Sequence, residues 1–135
     1  LSPADMSKLL VMVVDDDDAV RLVAVEMLRD LGCRVIQAVD GEDALKVVEA
    51  QPAHPDLILM DYAMPNMNGL RCAAALRERG VMAPIGLVTG YAEAAESDTE
   101  LDPLDGLLRK PFSIQDMRGL LETLRSRIGM HRPVA

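Results

Sequence analysis

LILMDYAMPNMNG, residues 57–69, is an apolar run that stops on a carboxylate and then breaks. Leu57, Ile58, Leu59 and Met60 are continuously apolar, which suits a strand buried on both faces of a parallel sheet better than one with a wet face. Pro65 and the Asn68-Gly69 pair read as loop punctuation. Asp61 therefore stands at the C-terminal end of a central strand, where open α/β sheets bind their ligands. Alone, a strand-end Asp is most often just a turn residue, so the rest of the chain has to decide.

Upstream, LLVMVV at 9–14 is a second continuous apolar run, and it opens into four acids, Asp15 to Asp18. Val20, Val23, Met27, Leu28 and Leu31 then recur at helical spacing until Gly32, predicting a helix over 18–31 with Asp17 or Asp18 as its cap. Cys33 to Val39 reads as a strand, Asp40-Gly41 as a turn, and Ala44, Leu45, Val47 and Val48 as the buried stripe of a second helix. Downstream of Gly69, Leu70, Cys72, Ala73, Ala74 and Leu76 form a third helix ending at Gly80. PIGLVT at 84–89 is a fourth strand. A short helix is expected within 91–102, a brief strand from Asp105 to Arg109, and a last helix capped by Ser113 with Ile114, Met117, Leu120, Leu121, Leu124 and Ile128 inward.

Strands alternating with helices imply a doubly wound parallel α/β sheet covered on both faces, with the common order 2-1-3-4-5. That order sets the first and third strands side by side, so Asp15, Asp16 and Asp61 converge. The expected organisation is one domain over 9–128, an N-terminal extension over 1–8 and a tail over 129–135.

Composition narrows the function. The chain has 135 residues and a net charge of -8, which argues against direct nucleic-acid binding or an anionic membrane surface. Tyr62, Tyr91 and Phe112 are the only aromatics, too few for base stacking. No apolar run approaches membrane-span length, so no membrane insertion and a cytoplasmic location are expected. Cys33 and Cys72 lack metal-type spacing and read as small buried hydrophobes.

Three carboxylates in one depression repel each other, so either some take up protons or a cation sits among them. All-oxygen ligands with room for water favour magnesium over calcium, with manganese as its substitute. Thr89 and Lys110 close the fourth and fifth strands at the same rim. A hydroxyl, an ammonium and a metal around one carboxylate are what a phosphoryl group needs.

VVDDDD at 13–18, MDYAMPNMNG at 60–69, VTG at 88–90 and RKPF at 109–112 together resemble the signature segments of the response regulator receiver domain of two-component signalling. The resemblance covers nearly the whole chain and implies a flavodoxin-like (βα)5 fold that accepts a phosphoryl group from a histidine kinase or a histidine phosphotransfer protein. It implies Asp61 as phosphoacceptor, Asp15 and Asp16 as the magnesium-holding pair, and a backbone carbonyl from Ala63 to the metal. It further implies Thr89 and Lys110 as phosphoryl contacts, Gly90 as the small residue that keeps access open, and a cis bond before Pro111. Leu107 stands where many members carry a rotating Tyr or Phe. Ala63 and Tyr91 occupy positions that tune phosphoryl lifetime, and here they imply a long-lived state.

Other readings have weaker support. Asp15-x-Asp17 matches only half of the haloacid-dehalogenase nucleophile motif, and four acids after the first strand would repel a flavin phosphate. A degenerate receiver acting only as an interaction module fits poorly with a fully populated acceptor site. His54 and His131 are the only histidines and neither has a nucleotide site beside it, so the donor comes in trans. A single-domain regulator, the N-terminal receiver of a longer regulator and the C-terminal receiver of a hybrid kinase all stay open; the wording of the motifs resembles hybrid-kinase receivers somewhat more, which adds other domains of a longer parent protein as further partners.

Overall fold

The computed structural model describes residues 6, 8–50, 54–90 and 105–130. Strands β1 (Leu10–Val14), β2 (Arg34–Ala38), β3 (Leu57–Asp61), β4 (Ile85–Thr89) and β5 (Gly106–Arg109) form one sheet, with helices α1 (Asp18–Asp30), α2 (Gly41–Ala50), α3 (Gly69–Glu78) and α4 (Ile114–Ser126) on its faces. All pairings are parallel in the order β2-β1-β3-β4-β5. This is the flavodoxin-like arrangement expected from the sequence, with element ends shifted by a residue or two. The helix expected within 91–102 lies outside the described residues.

The continuous apolar runs have their reason in two cores. Side chains alternate across a strand, so Val11, Val13, Leu57 and Leu59 join α1 and α4 in one cluster. Met12, Val14, Ile58 and Met60 join α2 and α3 in the other. Every residue of β3 and β4 is buried, as central strands require. Met6, in the segment expected to be an extension, is buried against the first core. Cys33 and Cys72 are free and buried, and burial pushes the Cys72 thiol up to about 12, which makes it inert.

Three details differ from the expectations. The buried face of α1 is Arg21, Ala24, Val25 and Leu28, while Val23 is 47% exposed. Apolar ranking chose Val23, but small Ala24 lets the helix approach the sheet and Arg21 is drawn inward by a backbone carbonyl. Likewise Ala74 of α3 faces solvent, and Ile114 at the start of α4 and Ile128 just past its end are exposed.

The Asp40-Gly41 and Asn68-Gly69 pairs are helix starts rather than turns. Asp40 Oδ1 accepts from the Asp43 amide at 2.8 Å and Asn68 Oδ1 from the Arg71 amide at 2.9 Å, each satisfying an orphan donor of the first helical turn. The glycines are there for close approach. A Cβ on Gly69 would lie 2.6 Å from the Asp61 carbonyl oxygen, and the Gly69 amide donates to the Tyr62 carbonyl at 2.8 Å.

At the opposite sheet end, Asp105 ties several elements together. Its carboxylate is fully buried and accepts from Arg127 Nε at 2.7 Å, Arg77 Nη2 at 3.2 Å and the Ile85 amide at 2.9 Å. Among the described residues no helix is long and apolar enough to cross a membrane.

Candidate functional site

The site is assembled at the C-terminal edge of the sheet. Asp15 follows β1 and keeps its ladder going, its amide donating to the Ala38 carbonyl at 3.2 Å. Its Oδ1 accepts from the Asp17 amide at 2.9 Å, which turns the chain into α1. Asp17 then caps that helix, Oδ1 accepting from Ala19 and Val20 amides at 3.0 and 3.1 Å. Asp16 is left exposed beside it. Asp61 ends β3 and Thr89 ends β4, paired in register as Asp61 with Val88 and Thr89 with Arg109. Lys110 follows β5, its amide donating to the Thr89 carbonyl at 2.8 Å, and its bond to Pro111 is cis.

These elements bring the predicted residues together. One carboxylate oxygen from each of Asp15, Asp16 and Asp61 lies within 4.8 Å of the others. Lys110 Nζ donates to Asp61 Oδ1 at 2.9 Å and stands 3.8 Å from Asp15 Oδ2. An open cavity of about 760 Å³ covers the group, walled by Asp16, Asp61, Ala63, Thr89, Gly90 and Lys110, with Val20, Val23 and Phe112 as its apolar side. Among the described residues, a Cβ on Gly90 would meet the Lys110 side chain at 3.9 Å, an ordinary contact. Tyr91 lies outside the described residues, and Leu107 is 41% exposed on β5.

Electrostatics make the cluster uncomfortable without a cation. Burial pushes the Asp15 carboxyl up to about 6; the Asp17 amide and Lys110 oppose this, and Asp61 and Asp16 add to it. Burial also raises Asp61, with the Lys110 hydrogen bond and charge pulling it back and Asp16 pushing it further. Burial works against the charge on Lys110, but the Asp61 hydrogen bond and the fields of Asp61, Asp15 and Asp17 outweigh it, and its pKa is raised. Within 4.8 Å of each other and at an effective dielectric near 20, two ionised carboxylates repel by roughly 3 kcal/mol or more. Two buried acids and an exposed third, all oxygen donors beside an open cavity, fit a hard divalent cation that keeps several waters.

A pH prediction follows from Asp15. Its folded pKa lies above its ordinary value, so the folded state holds the proton longer and unfolding free energy falls as pH rises from about 4 to about 6. The Asp15→Asn variant has no such loss. In metal-free buffer the two proteins should unfold alike near pH 4, and the variant should be more stable above pH 6, by about 3 kcal/mol at most. Urea unfolding across that range measures it; a constant difference at all pH values would refute the Asp15 assignment.

The chain matches the response regulator receiver domain family over residues 11–122. It belongs to that family. Among curated relatives, this receiver is 36% identical over 111 residues to the autoinducer 1 sensor kinase/phosphatase LuxN of Vibrio campbellii, covering 82% of the chain and 13% of LuxN. It is 32% identical over 130 residues to the sensor histidine kinase RcsC of Escherichia coli K12, covering 96% of the chain and 14% of RcsC. The chain thus spans a small part of both relatives. A solved receiver domain of a Pseudomonas aeruginosa sensor histidine kinase, described with magnesium coordinated in its active site cleft, superposes with a TM-score of 0.75 at 29% identity. That superposition covers 87% of this chain and 98% of the other.

Two features of the receiver escaped the sequence. Gly69 reads as a loop residue until the Asp61 carbonyl is seen against it. Arg21 lay outside the predicted stripe of its helix. Its signal was a cation in the first turn, where the positive helix end disfavours one.

Proposed function

We propose that this receiver domain takes a phosphoryl group from a phosphohistidine onto Asp61 in a magnesium-dependent reaction and relays a two-component signal through the change that follows. The observation that carries the reading is the Lys110 ammonium 2.9 Å from Asp61 Oδ1, with Asp15 and Asp16 oxygens within 4.8 Å of an Asp61 oxygen.

In this reading an Asp61 oxygen attacks the phosphorus. The new O–P bond forms as the P–N bond breaks, and the imidazole nitrogen leaves with its electron pair. Magnesium, held by Asp15, Asp16, Asp61 and the Ala63 backbone carbonyl, would supply charge neutralisation on the transferring group. Lys110 gives up its bond to Asp61 Oδ1 and donates to a phosphoryl oxygen, and the Thr89 hydroxyl donates to another. Ala63 has no polar side-chain group to guide a hydrolytic water. The domain catalyses only its own phosphorylation and dephosphorylation.

The donor is a histidine kinase or a histidine phosphotransfer protein in the cytoplasm. Similarity to the sensor kinases LuxN and RcsC supports a receiver that works with other domains of a larger protein. With Leu107 in place of an aromatic, switching runs without a rotating ring.

The test is incubation of the chain with magnesium chloride and phosphoramidate or acetyl phosphate, followed by intact-mass analysis. One phosphoryl adduct per chain, lost when EDTA replaces magnesium, is expected. No adduct, or one on a residue other than Asp61, overturns the reading.

A further inference from the structure

Besides Asp105 at the other end of the sheet, the polar or charged groups buried among the described residues are Asp15, Asp61, Thr89 and Arg21. Asp61 and Thr89 line the candidate site and Asp15 belongs to its carboxylate cluster, whereas Arg21 does neither. Arg21 is also in the first turn of α1, against the helix macrodipole, so something must hold its guanidinium there.

Three hydrogen bonds do so. Arg21 Nη2 donates to Asp18 Oδ1 at 2.6 Å, Nε to Gln37 Oε1 at 3.0 Å and Nη1 to the Asp15 backbone carbonyl at 2.8 Å. The Asp18 side chain is 81% exposed, and an ion pair so open to water contributes little. The bond to the Asp15 carbonyl is the fully buried one, and it is charge-assisted. That carbonyl belongs to the peptide joining Asp15 to Asp16. A peptide unit is planar, so fixing its oxygen fixes the plane from which both carboxylates depart. Gln37, on β2, anchors the fork to the neighbouring strand.

We propose that Arg21 is a positioning residue for the divalent-cation site: it holds the Asp15–Asp16 peptide in the orientation that brings both carboxylates toward Asp61. The inference rests on the reading of Asp15, Asp16 and Asp61 as metal ligands. Positioning and simple charge predict opposite signs. A permanent cation near the site repels a second one, so if field were all that mattered, removing Arg21 would tighten magnesium binding. If orientation dominates, removal weakens it.

The experiment is calorimetric titration of the full chain with magnesium chloride, for the parent, Arg21→Met, Arg21→Lys and Gln37→Met. The parent should bind saturably and Arg21→Met should raise the Kd about ten-fold, the scale on which groups that orient metal ligands act. Arg21→Lys should recover part of the loss, since an ammonium can reach the carbonyl without also spanning to Gln37. Gln37→Met, at an exposed position, should shift the Kd in the same direction by less. In metal-free protein, exchange of the Asp17 amide should be faster in Arg21→Met. A folded Arg21→Met that binds magnesium as tightly as the parent, or more tightly, overturns the proposal. If Arg21→Met does not fold, an unchanged Kd in Gln37→Met overturns it. A parent that shows no saturable magnesium binding overturns the metal-site reading itself, and this proposal with it.

Discussion

Asp61→Asn is expected to stay at its unmodified mass after incubation with magnesium and acetyl phosphate, under conditions that label the parent stoichiometrically. The amide oxygen is a poor nucleophile toward phosphorus, and among the described residues no other buried carboxylate has a lysine at hydrogen-bonding distance: Lys110 Nζ is 2.9 Å from Asp61 but 3.8 Å from Asp15. The fold should survive. Asn presents an oxygen of the same reach to Lys110, and replacing a carboxylate whose pKa is raised by burial and by Asp16 with a neutral group removes a charge that the folded state disfavours. Metal-free Asp61→Asn should therefore be more stable than the parent at neutral pH, read as a higher urea midpoint with unchanged slope. Stoichiometric labelling of the variant would show that Asp61 is not the acceptor.

Lys110→Met should separate metal binding from phosphoryl transfer. Its ammonium faces two buried carboxylates, so removing it deletes the one cation those groups have within 4.0 Å among the described residues. Magnesium, which competes for the same charges, should bind more tightly. Phosphoryl uptake should nevertheless fall by about 10²–10³-fold, the usual effect of losing one preorganised donor at a developing charge. Loss of the ammonium also leaves Asp15 and Asp61 with less compensation. Their pKa values should rise further, and the metal-free variant should lose stability more steeply than the parent as pH rises through the carboxyl range. Lys110 itself stays charged throughout, its own pKa being raised. Calorimetric titration with magnesium and the labelling rate from acetyl phosphate check both halves. Weaker metal binding together with an unchanged labelling rate would refute this account of Lys110.

The sheet and its order were legible because central parallel strands are buried on both faces and so read as unbroken apolar runs. LVMVV of β1, LILMD of β3 and IGLVT of β4 leave little room for another reading. The convergence of Asp15, Asp16, Asp61, Thr89 and Lys110 was legible for a related reason: each stands at a strand end, and parallel topology sends all strand ends to one edge. Helix faces were less legible. In α1 the choice between Val23 and Ala24 depends on how near the helix lies to the sheet, which side-chain hydrophobicity does not encode. Arg21 was hard to place because its buried partner is a backbone carbonyl, and every residue has one of those. Asp-Gly and Asn-Gly carried two meanings, turn and capped helix start, and only a neighbour decides between them. For Gly69 that neighbour is the Asp61 carbonyl, 2.6 Å from where a Cβ would stand; for Gly41 it is the Met67 sulfur, 2.9 Å from such a Cβ.

The 2.8 Å bond from the Gly69 amide to the Tyr62 carbonyl closes residues 63–68 into an arc whose two feet touch. Chain length between the acceptor strand and α3 is thereby uncoupled from the distance between them. The arc behaves as a cassette: substitutions within it, Ala63 included, can alter what overhangs the carboxylates without changing where β3 ends or where α3 begins. The residues that cannot vary freely are those at the feet, where side chain gives way to backbone.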